Sequence, residues 1–187
     1  FRRVLFRSLK WDIKNTPRLV GGIDTKSTEL ANIFYSNFCA EVVLTETPEV
    51  AEAAKILENT FRLVNIALLN ELNKVFSANG IDTNAVVDAA STKPYGYMPF
   101  RSGVGIGGHC IPVDPMYLTW WARQNGSESK LVELADSVSR SMPKFVAEKA
   151  ISVAKSEVKR VLVLGVAYKP GVADTRETPV LELVNHL

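Results

Sequence analysis

The sequence is poor in the residues that would indicate several common classes of protein. Its 187 residues include two cysteines and two histidines, too few for a disulfide framework or for a zinc site of paired Cys and His ligands. No apolar run approaches the roughly 18 residues of a membrane-spanning helix. We therefore predict no membrane partner and no metal site, and the free thiols favour a cytoplasmic protein.

The sequence also has no large excess of positive or negative charge. The formal net charge is +2, and Arg2, Arg3 and Arg7 all lie within the first eight positions. Without these three arginines, 19 basic residues face 20 acidic ones, so we predict no nucleic-acid partner. Residues 1–8 show no helix or strand period and no starting Met. We interpret them as a scar or a truncation artefact.

The segment that follows has the pattern of a parallel α/β unit. Residues 16–22 and 40–45 are short apolar runs bounded by turn residues, and they predict two strands. A helix is predicted between them, starting within residues 24–27 and ending near Asn37. A strand, a helix and a second strand at this spacing indicate parallel pairing, although such a sheet needs further strands for stability.

The longest predicted element is a helix from Pro48 to about Ala78, followed by the stop signal Asn79-Gly80. It is apolar nearly all round, which is typical of a buried helix. At about 100° per residue, one arc of roughly 80° is polar, and it holds Lys55, Asn59, Arg62, Asn70 and Asn73. This polar stripe either faces solvent or lines a site, and the sequence leaves both open.

The rest of the chain predicts more helices and one further strand. The helices cover residues 82–91, 114–125 and 127–156, the last interrupted at Met142-Pro143. The apolar run at residues 159–167 predicts a buried parallel strand. The strand is followed by a polar loop at residues 168–177 and by a helix from Thr178 onwards. The predicted fold class is therefore α/β with a helical middle domain.

Four glycines lie within residues 103–108 and superficially resemble a dinucleotide-binding turn. That turn needs a strand before it and a helix opening directly after it. Residues 94–100 are poor strand material, and Pro112 and Pro115 prevent a helix from starting at the glycines. We instead expect the loop's backbone N–H groups to approach an anion such as phosphate.

Cys110 directly follows this loop. A buried, unreactive thiol is the ordinary interpretation of a cysteine, and we keep it for Cys39. The setting of Cys110, beside His109 and near helix N-termini, instead favours a reactive thiolate. Asp114 has the position of an N-cap for the next helix, a role compatible with orienting a water molecule.

Three motifs resemble those of the UDP-glucose/GDP-mannose dehydrogenase family. The sequence GVGIGGHCIPVDPMYL at residues 103–118 is similar to the family's active-site loop. Lys55 and Asn59, with Asn70-Glu71 further along, are similar to its Lys-x-x-x-Asn helix, and residues 165–179 to the opening of its C-terminal domain. The resemblance covers about residues 12–187. Relatives usually carry Pro-Gly-Pro-Gly where this chain has Ser-Gly-Val-Gly at residues 102–105.

The resemblance implies three regions and NAD as the cofactor. Residues 9–46 would be the C-terminal remnant of an NAD-binding Rossmann domain, and residues 157–187 the start of a Rossmann-like domain that binds the nucleotide sugar. Residues 47–156 would be an all-α central domain that carries the catalytic loop and forms a homodimer along its long helix. Because the NAD domain's glycine-rich turn is not in this sequence, we expect poor NAD binding and no activity from these residues alone.

The resemblance also implies a chemistry, the oxidation of a sugar CH₂OH to a carboxylate in two hydride transfers. Cys110 would form a thiohemiacetal and then a thioester. Lys55 and Asn59 would stabilise charge on an oxygen, and Asp114 would hold or activate a water. The substrate contacts implied are Lys55, Asn59, Arg101, Gly103, Gly105, Gly107, Tyr168 and Lys169. The cofactor contacts implied are Cys110 and Arg176.

The residues around the cysteine resemble one branch of the family. His109 and Val113 replace a Ser and a Lys that glucose- and mannose-type members tend to carry, which indicates a UDP-N-acetylhexosamine as substrate. UDP-N-acetylglucosamine is the first choice, for the synthesis of surface polysaccharide precursors. The alternatives are UDP-glucose or GDP-mannose, and a non-catalytic dimerisation module built on the long helix.

Overall fold

The computed structural model describes residues 11–154 and 160–187. Over these residues the chain forms two short strands and six helices. The chain divides into two units, residues 1–58 and 59–187. None of the helices in the described ranges is long and apolar enough to cross a membrane.

The first unit holds the predicted parallel α/β pattern. Strand β1 (Arg18–Val20) pairs in parallel with strand β2 (Val42–Leu44), and helix α1 (Thr25–Ser36) connects them. Asp24 is the N-cap of α1, and its side chain accepts a hydrogen bond of 2.6 Å from the amide of Ser27. This bond lowers the pKa of the Asp24 carboxyl. The strand–helix–strand prediction is therefore confirmed, with both strands shorter than expected.

Helix α2 (Pro48–Ala78) is the longest element and has the predicted bounds. Gly80, with φ of 70°, follows its last turn in the left-handed conformation that suits the end of a helix. The buried core of the second unit forms where α2 meets a later helix, and its members are Leu63, Ala67, Val132 and Ala135.

Helices α3 (Thr83–Ala90) and α4 (Asp114–Gln124) confirm two further predictions. Asp82 caps α3 through its side chain. The prediction of Asp114 as an N-cap is wrong, because Val113 occupies that position and Asp114 is the first residue of α4. The Asp114 side chain is instead bonded to a side chain on α2.

Helix α5 (Lys130–Val153) contradicts the predicted interruption, because it continues through Pro143. A proline removes one helical hydrogen bond, the one that the carbonyl four residues earlier would accept. Burial compensates for this loss, since Met142, Pro143 and Ala147 are all buried in the second unit. Tertiary packing, rather than local propensity, keeps the helix intact.

The strand predicted at residues 159–167 is also wrong over the residues that the structure describes. Residues 160–167 adopt no regular secondary structure, and the side chains of Leu162 and Leu164 are 82% and 86% exposed. A buried parallel strand needs a hydrogen-bonded strand on each side. The described residues of the second unit contain no strand that could pair with this segment. Lys159 lies outside the described residues. Helix α6 (Val180–His186) follows as predicted.

Candidate active site

Two buried asparagines on α2 hold the two ends of the glycine-rich loop. The amide of Gly103 donates a hydrogen bond of 2.9 Å to Oδ1 of Asn70. Eleven residues earlier, Nδ2 of Asn59 donates one of 2.6 Å to Oδ2 of Asp114. Eleven residues are close to three full helical turns, so both asparagines lie on one face of α2. They are 2% and 0% exposed, which shows that this part of the polar stripe does not face solvent.

Helix α5 holds the middle of the loop. The amide of Ile106 donates a hydrogen bond of 3.1 Å to Oγ of the buried Ser139. The side chains of Ile106 and Ile111 pack against the core that α2 and α5 share. The loop is therefore fixed by polar contacts at three points and by apolar packing between them, although it has no regular secondary structure.

Two of the loop glycines are required by conformation and by close packing. Gly105 has φ of 129°, and a Cβ atom there would lie 3.0 Å from Cβ of Pro179 and 3.3 Å from the carbonyl oxygen of Ser139. Gly108 has φ of 91°, and a Cβ atom there would lie 2.8 Å from the ring of Tyr168. Both conditions exclude residues with a side chain.

The predicted polar loop at residues 168–177 packs onto the glycine-rich loop. The amide of Gly108 donates to the carbonyl of Arg176 at 3.0 Å, and the amide of Tyr168 donates to the carbonyl of Asp174 at 3.1 Å. Thr178 secures the segment by donating its hydroxyl to the carbonyl of Val166 at 2.7 Å. Cys110, two residues after Gly108, therefore lies on a loop that is hydrogen-bonded to a second loop.

The thiol of Cys110 has cationic and polar neighbours. Its Sγ atom lies 3.8 Å from Nδ1 of His109, and its carbonyl accepts a bond of 2.8 Å from the amide of Asp114. The Arg176 guanidinium, hydrogen-bonded to Asp174, lowers the pKa of that carboxyl to about 2. The pKa of Arg176 is raised, mainly by this bond to Asp174 and further by the charge of Cys110. Both cysteines are present as thiols.

This arrangement suits nucleophilic chemistry at sulfur. The Cys110 thiol is partly buried, and its Sγ atom lies 3.8 Å from a ring nitrogen of His109. Asp114, four residues after Cys110, accepts a hydrogen bond from the amide of Asn59 through its carboxylate, the kind of group that can serve as a general base.

Several predicted site residues have other partners in the structure. Lys55 belongs to the first unit, where its ammonium lies 3.6 Å from the carboxylate of Glu58. Arg101 is bonded to α3, through the carbonyl of Asn84 at 3.3 Å and the carboxylate of Asp88. The Lys169 ammonium lies 5.7 Å from the centre of the Tyr168 ring, within the range of a cation–π contact.

The loop amides are less available to an anion than expected. Those of Gly103, Ile106 and Gly108 donate to acceptors within the protein.

Ser139, one of these acceptors, was not predicted from the sequence. The sequence feature that could have pointed to it is Pro143, which lacks the N–H that would bond to the Ser139 carbonyl. Within residues 11–154 and 160–187, no three His, Cys, Asp or Glu side chains are grouped so that they could hold a metal ion.

Comparisons with known proteins agree with the geometry. A UDP-N-acetyl-D-mannosamine dehydrogenase of Methanocaldococcus jannaschii is 36% identical over 185 residues, which are 99% of this chain and 42% of that protein. A UDP-N-acetyl-D-glucosamine 6-dehydrogenase of Pseudomonas aeruginosa is 36% identical over 181 residues, 94% of this chain and 42% of that protein. The chain thus spans about two-fifths of the length of these relatives.

A solved structure and a family match point the same way. The UDP-D-ManNAc dehydrogenase of Pyrococcus horikoshii superposes with a TM-score of 0.80 at 34% identity, covering 92% of this chain and 42% of that one. Residues 49–141 match the UDP-glucose/GDP-mannose dehydrogenase family, central domain. These findings confirm the resemblance carried by the three motifs. The chain belongs to the UDP-glucose/GDP-mannose dehydrogenase family and carries the family's central domain at residues 49–141.

Proposed function

We propose that the full-length protein is an NAD-dependent nucleotide-sugar 6-dehydrogenase that oxidises the C6 hydroxymethyl group of a UDP-N-acetylhexosamine to a carboxylate. The observation that carries this proposal is the placement of Cys110 on a loop whose two ends are bonded to buried asparagines of α2. Loops fixed in this way present a nucleophile in one position, as covalent catalysis requires. We also propose that it acts in the cytoplasm, where thiols stay reduced.

The residues near the thiol fit one edge of a dinucleotide site. The side chain of Arg176 is 62% exposed and its charge interacts with that of Cys110, so it can pair with a phosphate of the cofactor beside the reacting sulfur. NAD, when bound, supplies a hydride acceptor. The glycine-rich turn for its pyrophosphate is not among these 187 residues, so the cofactor depends on the rest of the full-length protein.

In the proposed mechanism, C6 of the sugar first loses a hydride to NAD⁺ and its hydroxyl loses a proton, which gives the aldehyde. The Cys110 thiolate then adds to the carbonyl carbon, and the new oxygen takes a proton to form a thiohemiacetal. Loss of a second hydride from that carbon to a second NAD⁺, together with loss of the hydroxyl proton, would leave a thioester on Cys110. Water then attacks the thioester carbon, the C–S bond breaks, and the carboxylate and the thiol are released. We propose that Asn59 helps to hold that water, that Asp114 accepts its proton, and that Lys55 stabilises charge on the oxygen; the hydrogen bond of 2.6 Å between Asn59 and Asp114 supports the first two roles.

For the substrate we propose UDP-N-acetylglucosamine first, ahead of its manno and galacto epimers. Val113 lies between the loop and α4, and an apolar residue there suits an acetamido methyl group better than the lysine it replaces. Gly103, Gly105, Gly107, Tyr168 and Lys169 are proposed to contact the nucleotide sugar. The product would serve the synthesis of surface polysaccharides.

We further propose that the protein is a homodimer through α2. Phe61, Leu68 and Val75 follow one another at intervals of seven residues and are 46%, 48% and 51% exposed. Seven residues bring a helix back to nearly the same face. An exposed apolar stripe of this kind indicates a helix–helix contact with another subunit.

The proposed activity is tested by measuring NADH formed by the full-length protein with a panel of nucleotide sugars. We expect two NADH per sugar oxidised and the highest kcat/KM with a UDP-N-acetylhexosamine. A higher kcat/KM with UDP-glucose than with every N-acetylated sugar would refute the substrate assignment. Absence of NADH with every member of the panel would refute the activity itself.

A further inference from the structure

The carboxamide of Asn70 does little for the stability of the fold. It is 0% exposed, its Oδ1 accepts one hydrogen bond from Gly103, and its buried Nδ2 has no hydrogen-bond partner. Leaving a buried donor unpaired costs more than one hydrogen bond contributes on balance. The Gly103 amide belongs to an exposed residue, so it could bond to water instead. Stability therefore does not explain an asparagine at this position.

Ser139 on α5 likewise bonds to the loop, at a point where its own helix lacks a backbone hydrogen bond. Its buried hydroxyl accepts from the amide of Ile106, and its carbonyl faces Gly105 closely enough to exclude a Cβ atom there. Pro143 cannot donate to that carbonyl. The helix therefore gives up a backbone bond at the turn where it meets the loop.

We propose that Asn70 and Ser139 are positioning residues, which fix residues 103–106 from two helices and thereby set the place of the Cys110 thiol. This inference rests on the proposed function of Cys110. Both side chains act through the backbone of the loop and contact no reacting atom. A displacement of about 1 Å at a reacting group can lower a rate about 100-fold, so their effect lies in the reaction rather than in folding.

The first test compares kcat, KM and Tm in the full-length protein. We expect Asn70→Leu and Ser139→Ala to lower kcat roughly 10- to 100-fold, with a smaller rise in KM. Asn70→Leu removes the unpaired donor and should keep or raise Tm. Ser139→Thr keeps a hydroxyl and should restore kcat to within about threefold of the unmodified protein. If Asn70→Leu does not fold, Asn70→Ala and the Ser139 pair still decide the question.

Two control variants share the helices and lack the loop contact. Asn65→Ala removes an amide that bonds within α2, to the carbonyl of Phe61. Ser137→Ala removes an exposed hydroxyl of α5. Both should keep the kcat of the unmodified protein. Values of kcat within twofold of the unmodified protein for Asn70→Leu and Ser139→Ala, or losses that only follow the folded fraction, would overturn the proposal.

A second readout does not depend on turnover. Iodoacetamide alkylation of Cys110, followed by mass spectrometry at pH 7, should slow at least about threefold in Asn70→Leu and Ser139→Ala, because the sulfur moves away from His109 and Arg176. The control variants should react at the unmodified rate. An unchanged or faster rate overturns the positioning role. Slower alkylation in a protein that oxidises no nucleotide sugar would support positioning and refute the proposed activity.

Discussion

The glycine-rich loop at residues 103–113 and the segment at residues 160–167 both lack regular secondary structure, yet they are held very differently. The loop is bonded to side chains of α2 and α5 and packs its isoleucines against the core. The second segment is strongly apolar, but Leu162 and Leu164 are almost fully exposed.

The comparison shows that the way a segment is held depends on the hydrogen-bonding and packing partners available to it, and not on its local sequence pattern alone. The loop's partners are helices of the same unit, so its irregular backbone is satisfied within the chain. The apolar segment has the composition of a buried strand, but a strand is stable only beside other strands. The described residues of the second unit contain no such strand.

Among the substitutions that test this comparison, the largest loss of activity is expected from adding one methyl group to the glycine-rich loop. Gly108→Ala would force a residue with φ of 91° against the ring of Tyr168, and we expect at least a roughly 100-fold loss of kcat/KM through displacement of Cys110. The matched control is Gly126→Ala, at a residue that also has a positive φ, of 71°, but where a Cβ atom would meet nothing within 4 Å. Equal kcat/KM for the two variants would contradict the close packing of Gly108.

The second prediction concerns the apolar segment. In the full-length protein, the backbone amides of residues 161–166 should exchange with deuterium roughly 100-fold more slowly than in the 187-residue chain, because neighbouring strands would then bond to them. The loop amides of Gly103 and Ile106 should change little between the two proteins. Hydrogen exchange read by mass spectrometry checks both, and equally fast exchange of residues 161–166 in both proteins would show that no sheet forms there.

A smaller effect is expected on assembly. Leu68→Glu places a charge in the exposed apolar stripe of α2, and it should weaken the full-length dimer about tenfold or more by burying an unpaired carboxylate. Light scattering at micromolar concentration measures the change. Glu52→Gln, an exposed residue on nearly the opposite face of the same helix, serves as the control. A full-length protein that is monomeric before any substitution would end the dimer proposal.

The smallest effect concerns the Asp174–Arg176 pair. Because the pKa of Asp174 is lowered to about 2 from 3.8, the pair's contribution is complete above pH 3.8 and is lost as the pH falls through about 2. Arg176→Ala should return the Asp174 pKa towards 3.8, whereas Arg140→Ala, which removes the partner of Asp136 instead, should leave it unchanged. NMR titration of the carboxyl carbon tests this, and a pKa near 3.8 in the unmodified protein would be the contrary result.

Much of the fold could be predicted because its signals are local. Pro48 and Asn79-Gly80 mark the ends of α2, and the cap of α1, Asp24, lies within the predicted start at residues 24–27. The errors have tertiary causes. Burial around Met142 carries α5 through Pro143, and the apolar segment at residues 160–167 has no neighbouring strand among the described residues.

The candidate site was predictable in part. Cys110, Asn59 and Asp114 were indicated by motif, and the structure brings them together through the Asn59–Asp114 bond and the turn after Cys110. Asn70 was indicated by the polar stripe and by the Asn70-Glu71 part of the helix motif, but no role was assigned to it. Ser139 was not predicted, because Pro143 points only to its carbonyl and the role of its hydroxyl becomes informative only when its neighbour across the packing interface is known.

Substitution of Cys110 in the full-length protein tests the central claim most directly. Cys110→Ala removes the sulfur that would carry the thioester, and we expect formation of the sugar acid to cease while the circular dichroism spectrum and Tm stay unchanged. Cys39→Ala, at a buried thiol of the first unit, should retain activity in whatever fraction remains folded. Normal acid formation by Cys110→Ala would contradict the claim that this thiol is the nucleophile.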